Sequence, residues 1–366
     1  MNQIEETRKI RVLVVDDSPV IRELITKIIE AQPDMQLVGT ASNGEEAIAA
    51  VKEKNPDVVT MDLHMPKLDG LEATRKIMET HPVAIVIVSA TISTQEAIDA
   101  FRVLDVGAVS VIGSLVGPSH PEYEAKTKEL IQTLKTMSEI KVIRRWPKRD
   151  FPWPAKIANL PIETQFNLGE VKFVAIGAST GGPVVLKTIL SSIPKNFPVS
   201  ILIVQHIANG FTKGFVDWLR QVTNFPIKIA DSGEIPQPGH AYVAPEGFQM
   251  EVTKIGTIML SKSSPLNGHC PSVSALFKSI VKQFGKQSVG ILLTGMGKDG
   301  AIELKLMKDQ GAFTIVQDKE TSVVNGMPGE AINIGAASVV LSPEGIASFL
   351  TKMSETIISW RKTREQ

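Results

Sequence analysis

The sequence predicts an α/β protein built as two doubly wound, mostly parallel halves joined by a linker. Three observations carry that reading. Short apolar runs alternate with amphipathic ones from Ile10 onward, each pair taking roughly 20–25 residues, the rhythm of βα units. The rhythm breaks between Val142 and Gly169, where Pro recurs, and resumes at Val171. A length of 366 residues is long for one domain and comfortable for two.

In the first half, strands are expected over 11–15, 36–41, 57–61, 84–88 and 108–112, and helices over 19–31, 44–53, 69–80, 94–104 and 122–140. Five such units call for a parallel sheet with helices on both faces and ligands beyond the carboxyl ends of its strands. Asp16 and Asp17 close the first strand, Asp62 the third and Ser89 the fourth. One Asp at a strand end is usually a helix cap or a solvated turn. Three carboxylates converging with a hydroxyl need a proton or a divalent cation, and hard oxygen ligands of this kind suit Mg²⁺.

The segment Arg144-Arg145-Trp146-Pro147-Lys148-Arg149-Asp150-Phe151-Pro152-Trp153-Pro154 cannot form a regular helix. Its Trp and Arg side chains suit either a tether packed at a domain interface or a docking strip for an acidic partner. In the second half, strands are expected over 171–176, 199–205, 227–230, 288–294, 312–316 and 338–341. Shorter Gly-broken runs between 239 and 261 read as an antiparallel hairpin insertion.

Gly177-Ala178-Ser179-Thr180-Gly181 stands between the first of these strands and a helical run, the setting in which a sharp turn lifts a Ser hydroxyl clear of a sheet. By itself it fits equally a Gly-rich turn that binds phosphate or merely joins strand to helix. His206 follows the second strand. Asp299 lies in Leu293-Thr294-Gly295-Met296-Gly297-Lys298-Asp299-Gly300, after the fourth. One sheet directs all three ends to one crevice, where a carboxylate can orient an imidazole and the imidazole can take the Ser proton. A dinucleotide fold would want G-x-G-x-x-G and an acidic residue after the second strand; Gly-Ala-Ser-Thr-Gly-Gly and Gln205-His206 supply neither.

Lys+Arg and Asp+Glu balance at 39 each, so no whole-chain field favours nucleic acid or an anionic membrane. The single Cys270 excludes an internal disulfide and fits a reducing compartment. The first residues are polar, with no signal-peptide core. No apolar run approaches the roughly 20 residues of a membrane span. A cytoplasmic protein without membrane insertion, and a monomer, is expected.

Val14-Val15-Asp16-Asp17-Ser18, Met61-Asp62-Leu63-His64-Met65-Pro66-Lys67-Leu68-Asp69-Gly70 and Val88-Ser89-Ala90 resemble a flavodoxin-like response-regulator receiver. The resemblance implies that Asp62 accepts a phosphoryl group from a chemotaxis histidine kinase. It also implies that Asp16, Asp17, Asp62 and the His64 carbonyl hold Mg²⁺, and that Ser89 is the switch hydroxyl. The sequence departs from that pattern at Ser114 and Val111, where a receiver has a Lys and an aromatic residue. No Lys occurs between Lys76 and Lys126.

The second half resembles the catalytic domain of the chemotaxis protein-glutamate methylesterases. The supporting stretches are Gly177 to Pro183, Gln205-His206, Tyr242-Val243-Ala244-Pro245, Cys270-Pro271-Ser272-Val273, Leu293 to Gly300 and Asn325-Gly326-Met327-Pro328. It departs from the family at Ser274, where an Asp is usual, and at Gln249, near a common His. The resemblance implies Ser179 as nucleophile, His206 as general base and Asp299 as its orienting carboxylate, with Thr180 and the Met296 backbone at the oxyanion and substrate. No cofactor is implied for the esterase reaction.

The expected activity is hydrolysis of glutamate γ-methyl esters, and deamidation of glutamines, on chemoreceptor cytoplasmic domains, controlled by phosphorylation. The expected domains are a receiver over 1–125, a linker over 126–168 that starts as a helix, and a catalytic domain over 169–360. The alternatives are an esterase-like adaptor and an esterase not coupled to phosphorylation.

Overall fold

The computed structural model describes residues 8–89, 93–140 and 168–364. The chain divides into two units, Met1–Asp150 and Phe151–Gln366. In the first, β1 (Ile10–Val15), β2 (Met35–Ala41), β3 (Val58–Met61), β4 (Ala84–Ser89) and β5 (Ser110–Gly113) alternate with helices. These are α1 (Pro19–Glu30), α2 (Gly44–Lys54), α3 (Gly70–Thr80), α4 (Thr94–Val106) and α5 (Tyr123–Ser138). The strands form one parallel sheet in the order β2-β1-β3-β4-β5. β3 and β4 are buried along their whole length, as strands covered by helices on both faces must be.

Local chemistry starts the helices. Ser18 caps α1 ahead of Pro19, and the Asn43 side chain accepts from the N–H groups of Glu45 and Glu46. Asp69 accepts from Glu72, and Ser93 and Glu96 close a capping box. α5 buries Leu130, Leu134 and Met137 and packs against β3, β4 and β5. The helix expected to open the linker is therefore part of the first unit's packing. The linker's Trp146 and Trp153 lie outside the described residues.

The second unit contains β6 (Phe173–Ala178), β7 (Ser200–Gln205), β8 (Ile227–Ile229), β9 (Ala241–Val243), β10 (Gln249–Val252), β11 (Ile258–Ser261), β12 (Ser288–Leu292), β13 (Phe313–Gln317) and β14 (Val339–Leu341). Its helices are α6 (Gly182–Ser192), α7 (Thr212–Thr223), α8 (Val273–Phe284), α9 (Ala301–Asp309), α10 (Gly326–Asn333) and α11 (Pro343–Arg364). Seven strands form a sheet in the order β14-β13-β12-β6-β7-β9-β8, every neighbouring pair parallel.

The expected hairpin over 239–261 is corrected in part. Ala241, Tyr242 and Val243 are buried without alternation, and they join the main sheet between β7 and β8. Only β10 and β11 pair antiparallel, with Met259 left 41% exposed, as a one-sided hairpin allows.

Strand order fixes where chemistry can sit. From β6 the chain builds outward to β7 on one side and later returns to place β12 on the other. In the first unit, β1 has β2 and β3 on its two sides. Each reversal opens a crevice beyond the carboxyl ends of the strands.

β6 also needs one residue without a side chain. A Cβ built at Gly177 would lie 2.3 Å from Val273 Cγ1 and 3.1 Å from Leu292 Cδ1. Gly177→Ala is expected to destabilise the second unit by about 1–3 kcal/mol through overpacking. Three of the four Trp, Trp153, Trp218 and Trp360, belong to the second unit, so urea unfolding read by Trp fluorescence reports mainly on it. An unchanged midpoint would show that α8 gives way freely.

Candidate active site

Parallel register brings two of the predicted residues together. Ala178 at the end of β6 pairs with Gln205 at the end of β7, so the residues that follow, Ser179 and His206, are lateral neighbours roughly 5 Å apart along the backbone. The His206 N–H donates to Ala178 O at 2.9 Å, and Gln205 Nε2 donates to the carbonyls of both Ser179 and His206 at 2.8 Å. On the other side, Ser179 N–H donates to Thr294 O at 3.0 Å, tying the serine to the loop after β12. Gly295 in that loop has room only for hydrogen, since a Cβ there would lie 2.6 Å from Ser179 Cβ. Ser179 and Thr180 are half-buried at the mouth of the sheet, and Met296 is half-buried in the facing loop.

Asp299 comes from that loop's far end, just before α9. His206 Nε2 lies 3.0 Å from Asp299 Oδ2, with the carboxylate fully buried and the ring nearly so. The opposite ring nitrogen, Nδ1, is buried without a hydrogen-bond partner. Among the described residues no hydrogen bond joins the Ser179 hydroxyl to the ring, a gap common in sites that tighten only around substrate.

The carboxylate is saturated. Besides His206 it accepts from Asn267 Nδ2 (3.2 Å), Ser272 Oγ (2.8 Å), Val273 N–H (2.7 Å) and Ser274 N–H (3.3 Å). Val273 and Ser274 open α8, so the charge sits at a helix N-terminus, where unpaired N–H groups favour an anion. Burial by itself would raise this carboxyl. The His206 ring, Ser274 and Ser272 outweigh that and hold it well below the usual carboxylate range.

Several of these partners escaped the sequence reading. Asn267 and His269 sit in an Asn-Gly turn whose signal is legible, and Ser272 is the N-cap of α8. The His269 ring stacks on His206 with centroids 3.8 Å apart. Ser274 is fully buried. Its hydroxyl donates to Glu303 Oε2 at 2.6 Å and accepts from Gly300 N–H at 3.0 Å, joining α8 to α9 beneath Asp299. Gln249 bridges His269 O and Ser272 N–H. Both departures from the expected pattern are thus built into the support of the carboxylate. Burial pushes the Cys270 thiol up, away from a reactive thiolate.

The first unit gathers the predicted acidic cluster. Asp16, Asp17 and Asp62 offer carboxylate oxygens that all lie within 4.8 Å of one another. Asp16 and Asp62 directly follow paired β1 and β3, and Ser89 ends the adjacent β4, where it is buried. Burial, then the charges of Asp62 and Asp17, push the Asp16 carboxyl up to about 6 against the Ser18 N–H and Arg22. Asp62 is raised as well, by burial first and by Asp17, while the Leu63 and His64 N–H groups oppose the rise. Three crowded hard-oxygen donors, with the Asp16 and Asp62 carboxyls raised, fit a divalent cation such as Mg²⁺. Ser114, where a receiver pattern calls for Lys, has no cationic side chain. Lys126 at the start of α5 instead reaches its carbonyl, with Nζ 3.0 Å from Ser114 O.

Residues 174–350 match the CheB methylesterase family, and residues 12–113 match the response regulator receiver domain. The chain is 50% identical over 346 residues to protein-glutamate methylesterase/protein-glutamine glutaminase 4 of Geobacter metallireducens, covering 94% of this chain and 99% of that protein. It is 50% identical over 354 residues to the corresponding protein 1 of Syntrophus aciditrophicus, covering 95% and 99%. With the Nitrosospira multiformis protein of the same name it shares 49% identity over 345 residues, 94% and 97% of the two chains. Among the described residues, no helix is long and apolar enough to cross a membrane.

The raised carboxyls give the first unit a pH signature. Without a divalent cation, folded Asp16 keeps its proton to about pH 6, whereas the unfolded chain releases it near 3.8. Stability therefore falls as pH rises through that window. A cation competes with the same protons. Millimolar Mg²⁺ is expected to raise the unfolding temperature at about pH 7.5 and to have little effect near pH 4.5, read by scanning calorimetry against EDTA. No Mg²⁺ effect at the higher pH would exclude the cluster as a cation site.

Proposed function

The chain belongs to the CheB methylesterase family, and from that premise we propose that it hydrolyses glutamate γ-methyl esters, and deamidates glutamine side chains, on the cytoplasmic domains of chemoreceptors. Ser179, His206 and Asp299 carry the reaction. The observation behind this reading is the buried His206–Asp299 pair at 3.0 Å, whose histidine, with its second ring nitrogen unpartnered, follows the strand that pairs with the one leading into Ser179.

Asp299 accepts a hydrogen bond from Nε2–H, which fixes the tautomer and leaves Nδ1 as the base. The Ser179 hydroxyl passes its proton to Nδ1 as Oγ attacks the ester carbonyl. His206 returns that proton to the departing methoxide, and methanol leaves. Water then loses a proton to Nδ1 as it attacks the acyl carbon, and the proton goes back to Ser179 as glutamate is released. On a glutamine the same proton goes to the leaving amine, giving ammonia. Thr180, next to Ser179 in the chain, and the backbone at Met296, in the loop after β12, are assigned to the oxyanion and substrate.

The receiver domain makes regulation part of the proposal. Asp62 accepts a phosphoryl group from a histidine kinase. Asp16, Asp17, Asp62 and the His64 carbonyl would hold Mg²⁺, which supplies positive charge against the incoming phosphate oxygens. Phosphorylation adds about −1.5 to −2 charge beside Ser89. The first unit's packing through α5 supports a receiver that extends past residue 125, to the end of that helix. Ser114 and Val111 favour a second reading, an esterase whose output is weakly coupled to phosphorylation, because Ser cannot supply the charge of a Lys.

Methanol release from methylated receptor tests the proposal. Ser179→Ala and His206→Ala are expected to lower kcat on the order of 10⁴–10⁶-fold, and Asp299→Ala somewhat less. Full activity in Ser179→Ala would end the reading. A small-molecule phosphodonor is expected to stimulate the wild type and not Asp62→Asn. A wild type that becomes phosphorylated, by mass, without stimulation would leave the uncoupled esterase.

A further inference from the structure

Leu266-Asn267-Gly268-His269 is a two-residue reverse turn. Leu266 and His269 exchange both backbone hydrogen bonds, at 3.0 and 2.9 Å, and Asn267 and Gly268 have φ of 53° and 83°. Paired left-handed residues of this kind are what Asn-Gly adopts most readily. The turn puts two side chains on the His206–Asp299 pair at once. Asn267 Nδ2 donates to Asp299 Oδ1 at 3.2 Å, and the His269 ring lies flat on His206, its plane within 5° and its centroid 3.8 Å away. Buried Gln249 anchors the turn from behind, donating to His269 O at 3.0 Å while accepting from Ser272 N–H at 2.8 Å.

We propose that His269 is a positioning residue for this hydrolysis. Stacked on His206, its ring holds the imidazole with Nε2 on Asp299 and Nδ1 toward Ser179, and it stabilises the imidazolium that forms when the Ser179 proton arrives. The inference rests on the reading of His206 as the base.

Two physical arguments support the role. The outer torsion of a His side chain is broad and two-fold, so a ring held by one hydrogen bond can turn, and a flat neighbour at stacking distance restricts that motion. An aromatic face also attracts a cation, but only while the stacked ring is itself neutral. Burial, then the charge of His206, pushes His269 down to about 4, with Asp299 pulling the other way. The titratable groups around it are His206, Asp299 and the neighbouring Cys270, whose thiol burial keeps protonated. His269 is therefore uncharged at neutral pH.

The test compares His269→Ala, His269→Leu and His269→Phe in the full chain. Losing the aromatic plane is expected to lower kcat about 10- to 100-fold, with KM changed much less, because the loss is in alignment of the base. Phe, flat and unable to titrate, is expected to restore most of kcat; Leu, which fills the volume without a π face, is not. Ring ¹⁵N shifts of His206 should report one tautomer, protonated at Nε2, in wild type and His269→Phe, and a mixture in His269→Leu. The idea is overturned by a Leu variant with wild-type kcat, by a Phe variant as impaired as Leu, or by a single His206 tautomer in all of them. Should His269→Ala fail to fold, the Leu–Phe pair carries the comparison. The tautomer readout needs no turnover, so its failure is distinguishable from failure of the base role itself, which a fully active His206→Ala would reveal.

Discussion

A buried carboxylate at the start of α8 is the constraint on which the second unit depends. Asp299 sits in a place where an isolated charge would be strongly disfavoured. It is stable there because the turn at Asn267, the cap at Ser272, the first N–H groups of α8 and the ring of His206 all donate to it. Each donor comes from a segment that must therefore arrive in register. The need to satisfy one anion fixes the loop after β12, the approach to α8 and the orientation of an imidazole. Gly177 and Gly295 belong to the same constraint, since side chains there would push away α8 and Ser179 respectively.

The two units use one topological rule with opposite electrostatics. Both place polar groups beyond the carboxyl ends of parallel strands, where adjacent strands lead off to opposite sides of the sheet. In the second unit, donors outnumber what one carboxylate requires, and its proton is held off. In the first, three carboxylates crowd together, and burial with their mutual repulsion raises the carboxyls of Asp16 and Asp62. The crowded carboxylates of the first suit a cation, whereas the single carboxylate of the second is already met by donors from the protein.

The support around the His206–Asp299 pair accounts for the two departures from the family pattern. Ser274 and Gln249 do not line the mouth of the crevice. They connect α8, α9 and the Asn267 turn beneath and behind Asp299, and Glu303 provides the carboxylate that the Ser274 hydroxyl meets. At Ser114, Lys126 reaches in from α5, twelve positions along the chain. A charge counted as missing at one position thus has a neighbour that only packing brings near.

Much of this was legible in the chain. Strand and helix alternation, caps such as Ser18, Asn43 and Ser93, and the polar residues ending each strand follow from local chemistry, which a sequence states directly. Ser179 and His206 belong to that class too, because adjacent parallel strands ending one residue earlier must set them side by side. The place of Ala241–Val243 in the main sheet was not legible, since three apolar residues suit a hairpin or a buried strand equally, and only the faces that cover them decide. Nor was the shell of Asn267, His269, Ser272 and Gln249 around the His–Asp pair. Those residues act at distances set by how a loop returns across a sheet. The sequence by itself therefore determined which groups stand at the ends of the strands, and the tertiary structure decided which of them are neutralised, stacked and held, because burial and close approach belong to the packed chain.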